Sequence, residues 1–94
     1  KEPVPKVLSF QDFNEMAAKQ GYEDLIPLFQ SLQKEHPSLS FREIRLNNLG
    51  LKLMFHPGKT EESIKVFLLA TYLYPESANL FDSLAEAYLY ANKI

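Results

Sequence analysis

The chain has 94 residues, with 10 Lys and Arg against 12 Asp and Glu for a net charge of −2, and 46 % of it is hydrophobic. That is one domain's length, and the apolar content suits a globule with a thin core rather than a disordered segment. A mildly acidic chain without a basic stripe does not suit a nucleic-acid groove, no apolar run approaches the ~18 residues of a membrane span, and the lack of cysteine excludes disulfides and thiolate metal sites.

Residues 1–8 open with KEPVPKV, where two prolines favour extended backbone. They are expected to be a linker, and the start at Lys1 suggests a processed protein or an excised domain. A first helix is predicted over 9–20. Ser9 supplies a cap, Asp12 sits in the first turn, Phe10, Phe13 and Ala17 form an apolar stripe, and Gly21 ends it. A second is predicted over 23–35, with Pro27 tolerated in its first turn and Leu25, Leu28, Phe29 and Leu32 facing inward until His36-Pro37.

The third helix is predicted over 40–55. Ser40 and Glu43 have capping-box spacing, and Ile44, Leu46, Leu49, Leu51, Leu53, Met54 and Phe55 surround the helix with apolar side chains. That pattern predicts a central helix. Leu46, Leu49 and Leu53 recur at helical spacing on one face, and Gly50 beside them would let a partner helix approach closely. The fourth is predicted over 60–74, with Thr60 as cap, a Glu61–Lys65 pair one turn apart, and Ile64, Phe67, Leu68 and Thr71 facing the core. The fifth is predicted over 78–91, capped by Ser77. Phe81, Leu84 and Tyr88 are expected to cover the preceding pair, leaving Leu80, Leu89 and Tyr90 on the outside.

The ordered set Leu46, Leu49-Gly50, Leu53, Ser63, Phe67 and Pro75, restarted as Phe81, Leu84-Ala85 and Tyr88, resembles the tetratricopeptide repeat. An ordinary antiparallel helix pair accounts for single positions but poorly for the ordered set. The resemblance implies an all-α fold, antiparallel helix pairs stacked as a short right-handed solenoid of about five helices. It divides 9–94 into a degenerate repeat over 9–37, a clear repeat over 40–75 and a partial terminal repeat over 77–94. In the degenerate unit Leu25, Phe29, Leu32 and Pro37 align with Ser63, Phe67, Ala70 and Pro75.

In such repeats the first helix of each pair lines a concave groove. The resemblance places Asn47, Leu51, Met54 and Phe55 there, with Ile44, followed by Asn79, Asp82, Glu86, Leu89 and Tyr90 as groove or contact residues of the last helix. Members that capture a terminal carboxylate use a clamp of lysine, arginine and asparagine. Asn48 matches one asparagine of that clamp, whereas Asn79 and Ser83 stand where cations are required.

Chemistry of the chain's own is not expected. No serine has a Gly-x-Ser-x-Gly context, and the glycines are only Gly21, Gly50 and Gly58. His36 and His56 each precede a proline at a helix end, where they read as loop residues at the negative terminus, and neither has a second histidine within a turn or two to share a zinc ion. Glu61 and Glu62 are adjacent on a helix and point apart. No catalytic residue, metal ligand or cofactor follows.

The runs LNNLGLKLM, KTEESIKVF and YPESANLFDSLAEAY are also similar to the C-terminal repeat segment appended to bacterial serine hydrolases, among them esterases and β-lactamase-like proteins. None of those enzymes' catalytic residues lies in this chain. The expected function is therefore a non-catalytic interaction or docking module within a larger bacterial hydrolase, the alternative being a free-standing adaptor holding a peptide in its groove. The expected partner is protein (an upstream domain, a second copy forming a homodimer, or a peptide), with no nucleic acid and no membrane. Export or a periplasmic location would follow from the hydrolase resemblance, a cytoplasmic one otherwise.

Overall fold

The computed structural model describes residues 8–91, and these form five helices: α1 (Phe10–Lys19), α2 (Leu25–Glu35), α3 (Glu43–Met54), α4 (Thr60–Leu73) and α5 (Ala78–Tyr90). The class is all-α, with no strand among the described residues. The linker expected over 1–8 lies outside them except for Leu8, which is buried in the core rather than tethering it.

α1 starts on a complete capping box, in which Ser9 Oγ accepts from the Asp12 amide and Asp12 Oδ2 accepts from the Ser9 amide, each at 3.0 Å. It ends where the Tyr22 amide donates to the Ala17 carbonyl and the Gly21 amide to the Ala18 carbonyl. This is a Schellman closure with Gly21 at φ 65°. Tyr22 and Asp24 also adopt left-handed backbone, at φ 61° and 53°. For Tyr22 the conformational cost is offset by burying its ring and by its hydroxyl, which donates to Asn14 Oδ1 at 2.8 Å.

α3 begins at Glu43, not Ser40. Phe41 lies in the extended residues before it and is the hub of an aromatic cluster. Its ring sits 5.0 Å from Phe13, 5.2 Å from Phe10 and 5.8 Å from Phe29. A helix begun at Ser40 would have used the Phe41 carbonyl internally, but the Tyr74 hydroxyl donates to it instead. The Ser40–Glu43 box therefore does not form, and Glu43 Oε2 accepts from Ser77 Oγ at 2.5 Å. Thr60 does not cap α4 either, since the cap position is Lys59 and carries no side-chain hydrogen bond. Lys65 pairs with Glu23, across the fold, rather than being held by Glu61 alone.

The central helix is α4, not α3. It packs chiefly against α3 and α5 and also touches α2. Ser63, Ile64, Val66, Phe67, Leu69, Ala70 and Thr71 are all buried, while Leu68 is exposed against expectation. α3 buries only Leu46, Gly50, Leu53 and Met54, and Ile44 on it and Phe55 at its C-terminal cap stay largely in solvent. Short connections make α4 antiparallel to α3 and to α5.

Candidate functional site

α3 and α5 run parallel, and three side-chain contacts fix their alignment. Near the start, Ser77 Oγ accepts from the Leu80 amide at 3.2 Å and also donates to Glu43. In the middle, Ser83 Oγ donates to Asn47 Oδ1 at 3.0 Å. At the far end, Phe55 and Tyr90 meet edge to face with ring centroids 5.4 Å apart. Both rings are mostly in solvent, at 62 % and 56 % exposure.

Between the two helices, at their N-terminal ends, lies an open cavity of about 450 Å³ lined by Arg42, Glu43, Ile44, Asn47, Asn48 and Asn79. The expected groove residues are thus brought together in part. Asn47 and Asn79 line the cavity, and Phe55 and Tyr90 close the opposite end. Asp82 and Glu86 are exposed on α5 and Leu51 is half-buried. Met54 does not face the groove: it is 3 % exposed and belongs to the core, because it follows Leu46, Gly50 and Leu53 onto the buried face. Ser83 is also buried and spends its hydroxyl on Asn47, so it offers nothing to a ligand.

The expected orientation of α5 is corrected. Leu80, assigned to the outside, is 0 % exposed, and Ser83 and Ala87 are buried with it. Phe81, assigned to the covering face, is 46 % exposed, and Leu84 and Tyr88 are half-buried. Small Ser83 and Ala87 let the α5 backbone close onto its neighbours, Leu80 fills the space beside them, and the Asn47 bond holds that rotation. The opposite side of α5 is a line of Phe81, Ala85 and Leu89, flanked by Leu84 and Tyr88. Leu89 is exposed as expected.

His56 Nδ1 lies 3.0 Å from the Pro57 carbonyl, and no hydrogen bond joins either histidine to a serine among the described residues. The His36 Nε2 is buried without a partner there. No group of three His, Cys, Asp or Glu among the described residues could hold a metal ion, and no described helix is long and apolar enough to cross a membrane. Comparison of the chain with protein-family models, curated proteins and solved structures finds no match.

Proposed function

We propose that this chain is a non-catalytic protein-docking module of the helical-repeat type, built as a segment of a larger bacterial hydrolase. The observation that carries the docking reading is the exposed apolar line on α5, uncovered among the described residues, where Phe81 and Leu89 stand at 46 % and 58 % exposure on one side of a well-packed helix. Terminal units of stacked-helix proteins normally turn a polar face outward, and a continuous exposed apolar line marks an interface. The repeat reading draws support from α3 and α5, which run parallel with matching residues at a constant offset: Leu46 and Phe81, Leu49 and Leu84, Gly50 and Ala85, Leu53 and Tyr88.

A photo-crosslinking residue at position 85, compared with one at exposed position 31 on α2, tests this in cells that make the protein. Protein adducts at 85 and not at 31 are expected. Absence of adducts at 85, or equal labelling at both, would overturn the docking reading.

A second reading, a peptide held between α3 and α5, is favoured by the cavity that brings Asn47, Asn48, Asn79 and Arg42 together. Titration with extended peptides should then move the side-chain amide resonances of Asn48 and Asn79. Unmoved resonances would remove this reading.

A further inference from the structure

Building on the docking reading, we infer that the partner of α5 is an amphipathic helix with a basic edge, carrying a branched aliphatic side chain where it crosses Ala85. The precedent lies within the chain. α3 buries Leu46, Gly50 and Leu53, packs chiefly against α4, and receives the Phe67 ring against Gly50. On α5 the corresponding Phe81 and Ala85 are exposed, the corresponding Tyr88 is half-buried against the core, and Leu89 continues the line that no other described residue covers. A helix packed as α4 is on α3 would complete it.

One difference between the two lines sets the size of the seated group. A Cβ on Gly50 would stand 2.8 Å from Phe67 Cε2 and closer still to two other ring atoms, so the ring occupies the room a methyl group needs. Ala85 fills that room with its own methyl. A ring cannot seat there at the same depth, whereas a leucine or isoleucine side chain, which is shorter and lacks the far ring atoms that crowd this space, can.

Charge sets the edge. α5 carries Asp82 and Glu86 and no Lys or Arg. Asp82 lies two helical turns before Leu89 and therefore on nearly the same line along the helix, and Glu86 follows one turn after Asp82. A partner helix laid on Phe81, Ala85 and Leu89 brings its own flank beside these carboxylates, and basic residues there are attracted while acidic ones are repelled. A second copy fits poorly. Its α5 would bring the same carboxylates together, and its α4 has Ser63, Phe67 and Ala70 already buried in its own core.

The test uses synthetic helices made from residues 60–75. The basic peptide carries Phe67→Leu with Ile64→Lys, Val66→Lys and Leu68→Lys on the flanks of residue 67, the acidic peptide carries Phe67→Leu with Ile64→Glu, Val66→Glu and Leu68→Glu, and a third basic peptide keeps Phe67. Binding to the whole chain is followed by backbone amide shifts. The basic Leu peptide is expected to shift Phe81, Ala85 and Leu89, to bind at least about tenfold more tightly than the acidic one at low salt, and to lose that advantage at high salt. The Phe67 peptide should bind weakly until the protein carries Ala85→Gly. Equal binding of acidic and basic peptides on α5 would overturn the partner chemistry while leaving the docking surface standing. No shift on α5 with any peptide would overturn both. Concentration-dependent dimers in sedimentation, abolished by Leu89→Glu, would make a second copy the occupant and overturn the proposal.

Discussion

Gly50 and Phe67 form a close joint between α3 and α4: the phenyl ring lies where any side chain on residue 50 would begin. Phe67 is fully buried and Gly50 sits beneath it on the face shared by Leu46 and Leu53. Gly50→Ala is expected to cost roughly 1–3 kcal/mol by overpacking, and Phe67→Ala roughly 3–5 kcal/mol by cavity formation. Phe67→Leu should recover part of the Gly50→Ala loss, since it withdraws the ring from the methyl. Urea denaturation of the singles and the double mutant reads this coupling directly. Additive losses would show that the two residues do not share one space.

The rotation of α5 makes a comparison of neighbours decisive. Leu80 is fully buried and Phe81 is about half in solvent. Leu80→Ala should cost roughly 2–5 kcal/mol, and Phe81→Ser no more than about 1 kcal/mol. Melting curves of the two variants check this. The reverse order would mean that α5 packs through the Phe81 side.

Alkaline pH should weaken the fold through Tyr22. Burial, and secondarily the negative charge of Glu62, raise its hydroxyl above the ordinary pKa of 10.0. As pH passes that value the unfolded chain loses the proton while the folded chain keeps it. The unfolded state then binds fewer protons and stability falls with rising pH. Lys65, raised chiefly by its hydrogen bond to Glu23, acts in the same direction. Denaturation at about pH 8 and about pH 11 should show a decline. Tyr22→Phe should lessen it, at a cost of roughly 0.5–1.5 kcal/mol at neutral pH for the lost bond to Asn14.

The non-catalytic reading predicts background rates with activated esters. Neither His36 nor His56 is hydrogen-bonded to a serine among the described residues. A spectrophotometric ester assay on the purified chain checks it. Turnover that disappears in His36→Ala or His56→Ala would refute the reading.

The sequence by itself determined the helices, because their signals are local. Ser9 with Asp12, Gly21 in a left-handed turn, the proline breaks and Ser77 act within a few residues of themselves, and α1, α2, α4 and α5 start or stop within two residues of where those signals put them. Gly50 was legible as a close approach because a glycine amid leucines on one helical face has few other uses. Tertiary structure decided what competition between elements settles. The Tyr74 hydroxyl draws the Phe41 carbonyl out of α3, so the helix starts late and Phe41 becomes an aromatic hub. α4 displaces α3 as the central helix because its small and β-branched residues allow neighbours on three sides. The Asn47–Ser83 bond and the small side chains of Ser83 and Ala87 turn α5 so that Leu80 goes in and Phe81 stays out. Apolar periodicity names the candidates for a face, and only the partner helix selects which of two overlapping stripes is buried.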